Sequence, residues 1–182
     1  LSSLEARVAL DESVRRIRSI ALVHETLAYE AGNVVPFREI LRPLIRIVED
    51  GLLTPERTVD IQVSGDPGDL PAEVATPLAV VLTELVQNAV EHAFPAGPGG
   101  VARRGQVTVE VNREGDFALV EVRDDGVGLP EGFSIESASG LGLSIVHTLV
   151  TSELAGSIEM RSDSGTVVHV RVPVAFAPRV EL

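Results

Sequence analysis

The sequence predicts an α+β fold of two layers, with helices packed on one face of a sheet. Three observations carry that reading. Helical and strand patterns are mixed after residue 33, and the chain closes on two neighbouring strand patterns joined by a tight turn. The core must also be aliphatic: hydrophobic residues make up 45% of the 182 residues, aromatic residues only 3%, and tryptophan is missing. With charged residues at 23%, the composition is that of a globular chain.

The elements follow in order. Val8, Val14, Ile17, Ala21 and Leu27 recur at helical spacing and predict one helix over residues 3–30, stopped by Gly32-Asn33. Such a helix must bury its apolar stripe on the following domain or on another chain. Residues 34–35 read as a short strand. A helix follows over residues 37–49, and Pro43 within it should kink it or shift its start. Residues 58–64 alternate as a strand, and residues 65–71 are a turn-rich break. Residues 72–93 form the longest helix, with Pro77 near its beginning. Residues 95–105 are a Gly/Pro loop. Strands over 106–112 and 117–123 are joined by a turn at Glu114-Gly115. A Gly/Asp/Ser-rich loop covers 124–139. A helix over 141–154 is stopped by Gly156, and a hairpin of 157–161 and 166–174 ends the pattern.

Charge and composition exclude several function classes. The net charge is −12, and every basic residue other than histidine is arginine. That balance argues against nucleic acid, where a concentrated basic face is expected, and against an acidic lipid surface. The absence of cysteine removes disulfides, thiolate metal sites and cysteine nucleophiles. No apolar run approaches the roughly 20 residues of a membrane span, and no signal peptide is visible. The chain begins at Leu1 rather than Met and reads as a fragment with a cytoplasmic location.

Four short motifs carry chemistry. The first is Thr83-Glu84-Leu85-Val86-Gln87-Asn88-Ala89-Val90-Glu91-His92-Ala93. At about 100° per residue, Leu78, Leu82, Leu85, Ala89 and Ala93 share one face, and Glu84, Asn88 and Glu91 the opposite one. A core helix with a solvated polar face is the plain explanation. Asparagine inside a helix nevertheless carries a mild propensity cost, and its carbonyl oxygen is a hard ligand suited to Mg²⁺. The second motif is Arg123-Asp124-Asp125-Gly126-Val127-Gly128, directly after a strand. Asp-Gly is common in turns, but two glycines also let a planar base approach the backbone. A carboxylate at the strand end accepts from an exocyclic amino group that adenine has and guanine lacks there. The third is Ser139-Gly140-Leu141-Gly142-Leu143, where glycines open a helix and present main-chain N–H groups to phosphate. The fourth is Ser164-Gly165-Thr166, a hairpin turn whose Thr166 hydroxyl supports the base-binding carboxylate.

Together these motifs resemble the nucleotide site of the ATPase superfamily that includes gyrase, the Hsp90 chaperones, histidine kinases and MutL. The resemblance covers residues 34–174 and implies a Bergerat-type two-layer sandwich with a mixed sheet. It implies ATP and Mg²⁺ as cofactors. Asp124 would bind the adenine amino group with help from Thr166, and Gly126 and Gly128 would lie against the base. Asn88 would hold the metal, and Glu84 would support the water or reacting group. Gly140, Leu141, Gly142 and Leu143 would cradle phosphate. Residues 129–139 would be the lid. Two departures stand out. Glu91 occupies a position where many members carry lysine or arginine, leaving His92 as the nearest substitute for phosphate contact. The lid is also short, with Phe133 its single aromatic residue.

The N-terminal helix, with Glu12-Ser13-Val14-Arg15-Arg16-Ile17-Arg18 and His24, resembles the second dimerisation helix of one class of sensor histidine kinases. Glu153-Leu154-Ala155-Gly156-Ser157 also resembles the actinobacterial PdtaS-type members of that class. The resemblance implies two units, a partial dimerisation helix over 1–32 and an ATP-binding catalytic domain over 33–182. The implied partners are a second copy of the full-length protein and a response regulator. In that class the phosphoacceptor histidine lies on a preceding helix, in a motif this sequence does not contain. His24 is read as structural or helix-pairing, and His147 and His169 as structural. An anti-sigma-factor serine kinase and a non-catalytic ATP-dependent switch share the nucleotide motifs. The arginine-rich helix argues against the first, and the presence of Glu84 against the second.

Overall fold

A computed structural model describes residues 34–53, 58–95, 104–138 and 140–174, together with Leu10, Ser13, Val14, Ile17 and Ala21. Those five N-terminal residues are helical. The remainder of the expected helix over 3–30, including Arg15, Arg16, Arg18 and His24, lies outside the described residues.

The chain runs β1 (Val34–Pro36), α1 (Phe37–Leu52), β2 (Thr58–Ser64), β3 (Asp69–Pro71), α2 (Ala72–His92), β4 (Arg104–Glu114), β5 (Phe117–Asp124), a 3₁₀ turn (Ile135–Ser137), α3 (Leu141–Thr148), a π turn (Leu149–Glu153), β6 (Ser157–Ser162) and β7 (Thr166–Pro173). The main sheet has the order β2-β4-β5-β7-β6. β2 pairs with β4 in parallel, and the other neighbours are antiparallel. The expected α+β sandwich with a mixed sheet is therefore present.

Strand parity builds the inner face. Val107, Val109 and Val111 of β4 are buried, as are Ala118, Val120 and Val122 of β5 and Val168, Val170 and Val172 of β7. On α1, Phe37, Ile40, Leu41, Leu44, Ile45, Val48 and Leu52 are buried, the spacing of one helical stripe. α2 packs beside α1 on one flank and beside α3 with its π turn on the other, with β3, β4 and β5 also in contact. Contact on so many sides explains why α2 is buried almost all round.

Three expectations change. α1 starts at Phe37 and continues through Pro43, so the proline does not shift its start. Residues 65–71 are not wholly a break, since Asp69–Pro71 pairs antiparallel with β1. This small ribbon leads directly into both long helices: Pro36 precedes α1 and Pro71 precedes α2. The last helix stays α-helical only to Thr148 before widening into the π turn. Its left-handed terminal residue is Ala155, at φ 49°. Gly156 is needed for a different reason, because a Cβ there would come within 2.5 Å of the Arg171 carbonyl oxygen.

Candidate nucleotide site

The end of α2, the end of β5 and its loop, the start of α3 and the last hairpin enclose a cavity of about 460 Å³. Asn88 and His92 reach it from α2, and Asp124 and Gly128 from β5 and its loop. Gly140, Leu141, Gly142 and Leu143 line it at the start of α3, and Thr166 lines it from β7. Glu84 and Gly126 are not part of its lining.

Asp124 follows Ala118, Val120 and Val122 on the inward side of β5 and is 5% exposed. A buried carboxylate needs donors, and two main-chain groups supply them. The Gly126 N–H donates to Oδ1 at 2.9 Å and the Thr166 N–H at 3.1 Å. Thr166 thus supports Asp124 with its backbone, where the sequence pointed to its hydroxyl. Asp125 does different work: its Oδ1 accepts from the Gln106 N–H at 2.8 Å, and its own N–H donates to the Gln106 carbonyl at 3.3 Å.

The glycines separate by what would meet a side chain. At Gly165, with φ +136°, a Cβ would sit 1.9 Å from the Asp124 carbonyl oxygen. The hairpin is thereby pressed onto the end of β5, which brings the Thr166 N–H to the carboxylate. Gly126 acts as a spacer between loop and helix: its Cβ would come within 2.3 Å of the Ala93 carbonyl oxygen, which accepts from the Val127 N–H at 3.0 Å. Gly140 is the opposite case. It has φ −77°, and nothing lies within 4 Å of a Cβ built there. Neither backbone conformation nor packing within the described residues requires a glycine at that position, which leaves room for a ligand against the main chain. The Ser144 N–H donates to the Gly140 carbonyl at 3.1 Å. The N–H groups of the first turn, which α-helix geometry leaves without intrahelical acceptors, line the cavity wall and favour negative charge.

The polar side of α2 is buried in its middle and only partly buried toward Glu91. Glu84 is 1% exposed and Gln87 9%, on a helix that α1, α3, the π turn and the sheet all contact. Asn88 is partly buried at the cavity, and its Nδ2 is enclosed without a hydrogen-bond partner. An unmade hydrogen bond at a buried amide costs about 1–3 kcal/mol, and among the described residues nothing meets this one.

Several residues of the site were not singled out in the sequence. Val122, Met160 and Val168 form an apolar wall beside Asp124; the period-2 alternation of β5, β6 and β7 was the available signal. Ser162 fixes the first residue of the lid, its Oγ accepting from the Leu129 N–H at 2.9 Å. Phe133 lines the cavity as the aromatic residue of the lid. Farther along the lid, the Ser134 hydroxyl donates to Glu136. That bond, with help from the Glu136 backbone N–H and the charge of His147, holds the Glu136 carboxyl below its ordinary range. His147 is half-buried on α3, and His169 is on the exposed side of β7 with Nε2 2.9 Å from Glu121.

Residues 73–175 match the family model described as histidine kinase-, DNA gyrase B-, and HSP90-like ATPase. The chain belongs to this ATPase family. Nucleotide binding follows from that membership. Residues 1–50 match a second model, described as histidine kinase. The sensor histidine kinase PdtaS of Mycobacterium tuberculosis is 45% identical over 183 aligned positions, covering 100% of this chain and 36% of the relative. PdtaS of Mycolicibacterium smegmatis is 45% identical over 98% of this chain and 35% of its own. The chain thus spans about a third of the length of these curated relatives. Among solved structures, the histidine kinase domain of Erythrobacter litoralis EL346 superposes with a TM-score of 0.74 at 24% identity, covering 88% of this chain and 74% of that one. Histidine kinase ThkA, solved in complex with the response regulator TrrA, has a TM-score of 0.64 at 21% identity, over 96% of this chain and 52% of that one. At those identities the likeness is one of fold. In this ATPase member, no helix among the described residues is long and apolar enough to cross a membrane.

Proposed function

We propose that the chain is the ATP-binding catalytic portion of a two-component sensor histidine kinase. The observation that carries this reading is Asp124: a buried carboxylate at the cavity whose Oδ1 is claimed by two main-chain donors. Its second oxygen is left as an acceptor for the adenine amino group, and Val122, Met160 and Val168 offer an apolar slot for the base. The kinship with sensor histidine kinases supports phosphoryl transfer over a switch that only binds. The match of residues 1–50 favours a histidine rather than a serine acceptor.

The residues divide the work. Gly126 and Gly128 shape the base end. Gly140, Leu141, Gly142 and Leu143 present main-chain N–H groups to phosphate, and His92 contacts it from the end of α2. Asn88 would hold Mg²⁺ through its side-chain carbonyl oxygen, and the cation would supply neutralisation of phosphate charge. A single amide oxygen at the cavity fits a cation held chiefly by phosphate and water. Glu84, one turn before Asn88, is a positioning carboxylate that acts through water or through its neighbour. Residues 1–32 form a partial dimerisation unit and residues 33–182 the catalytic domain. Leu10, Val14 and Ile17 are exposed apolar residues, which supports pairing with a second copy in the full-length protein. The phosphoryl group goes to a histidine outside these residues and then to a response regulator, in the cytoplasm.

The test is labelled ATP with the chain alone and with the histidine-bearing helix supplied in trans. Acid-labile phosphate on the added helix is the expected result. Nucleotide binding without labelling would support the switch instead, and labelling of the chain alone would contradict the reading of His24.

A further inference from the structure

Part of the cavity wall comes from outside the catalytic elements. The described lining runs from Leu85 of α2 to Val168 of β7, with one exception, Ser13. Ser13 is helical and half-buried. The other described residues of the same N-terminal segment behave differently. Leu10, Val14 and Ile17 are 63%, 40% and 66% exposed, and Ala21 is exposed as well. Their spacing of four, three and four residues is that of a heptad seam. At about 100° per residue they fall within an arc of about 60°, and Ser13 stands about 70° from its centre. One flank of the helix therefore meets the cavity while its apolar stripe stays open. Serine suits such a wall. Its side chain is short, so the helix borders the cavity without filling it, and its hydroxyl both donates and accepts. A ligand that touches the helix and the catalytic elements together stabilises their contact, because it binds most tightly to the arrangement that holds both.

We propose that the N-terminal helix is part of the nucleotide site: Ser13 packs against the bound nucleotide, so that nucleotide binding clamps this helix onto the catalytic elements with its apolar stripe turned outward. This rests on the nucleotide reading above and adds to it a further wall residue and a coupling. The coupling is reciprocal. Drawing the helix off the cavity removes one wall and loosens the nucleotide, and bound nucleotide resists that displacement.

The sequence contains no cysteine, so single-cysteine variants of the full chain each report on one position. In Ser13→Cys, alkylation by iodoacetamide should slow by at least about tenfold when ADP and Mg²⁺ are added, since thiol reactivity follows access. In Ile17→Cys, on the open stripe, the rate should change by less than about twofold. Calorimetry on the wild type and both variants measures nucleotide occupancy. Ser13→Phe should weaken ADP binding by at least about tenfold, the usual cost of overfilling a packed site, while the thermal midpoint without nucleotide stays in place. An alkylation rate in Ser13→Cys that nucleotide leaves unchanged, in chain that calorimetry shows to be occupied, would overturn the proposal and leave the nucleotide reading intact. So would equal protection at positions 13 and 17, or a folded Ser13→Phe variant that binds ADP as tightly as the wild type. Absence of nucleotide binding by the wild type would overturn both.

Discussion

The main-chain N–H of Thr166 donates to Oδ1 of Asp124 across 3.1 Å, joining the start of β7 to the end of β5. The Gly126 N–H meets the same oxygen. In Asp124→Asn those two donors keep the one remaining oxygen, so the amide nitrogen must face the base. A donor then opposes the adenine amino group, while the guanine carbonyl at that place becomes acceptable. ATP affinity should fall by about 10–100-fold, the worth of a hydrogen bond to a charged group, and the ATP/GTP ratio should move toward GTP. Calorimetric titration with both nucleotides reads this, and unchanged ATP binding would refute the assignment.

Thr166→Ala keeps the main-chain donor. Its ATP affinity should stay within about threefold of wild type, well short of the loss from removing a charged hydrogen bond. A loss as large as that of Asp124→Asn would return the role to the hydroxyl.

Two glycine substitutions should separate folding from binding. Gly165→Ala drives a Cβ into the Asp124 carbonyl at positive φ and should cost at least about 2 kcal/mol of stability, seen as a lowered thermal midpoint. Gly140→Ala meets open space and should change stability by no more than about 0.5 kcal/mol while weakening nucleotide binding. A shift of the midpoint by Gly140→Ala as large as that by Gly165→Ala would contradict this division.

Ser162→Ala removes the acceptor for the Leu129 N–H. The expected result is faster hydrogen exchange at Leu129 and faster nucleotide release, with a stability loss of about 1 kcal/mol or less.

The Glu136 carboxyl should titrate below the ordinary glutamate range, chiefly because the Ser134 hydroxyl donates to it. A carboxyl depressed in the folded state contributes its stabilisation above its unfolded value and loses it as pH falls through the folded one. The 3₁₀ turn of the lid is therefore fully supported at neutral pH and loosens in acid. A carboxyl-detected NMR titration should show the low midpoint, and Ser134→Ala should move it upward; equal midpoints in both proteins would remove this account.

Much of this arrangement was legible in the chain, because periodicity reports which side of an element is buried. The alternation of β4, β5 and β7 located the sheet, and the Asp-Asp-Gly and Gly-Leu-Gly segments located two walls of the cavity. What stayed hidden depended on groups distant in sequence. Asp69–Pro71 looks like a turn until β1 pairs with it. Glu84 sits opposite the apolar stripe of its helix and reads as solvated, yet it is 1% exposed, on a helix that other elements contact on several sides. The support of Asp124 by Thr166 uses a main-chain atom that every residue except proline carries, so residue identity could not reveal it. Ser162 lacks a motif and gains its role only when the hairpin meets the base of the lid.

Phe94 and Gly105 bracket the connection between α2 and β4. A Cβ on Gly105 would overlap the Phe94 ring at 2.1 Å, and Phe94 itself is 5% exposed. Both flanks of the connection are thus anchored by core packing. The small residue and the large ring thereby tie the start of β4 to the end of α2, the helix whose last residues line the cavity.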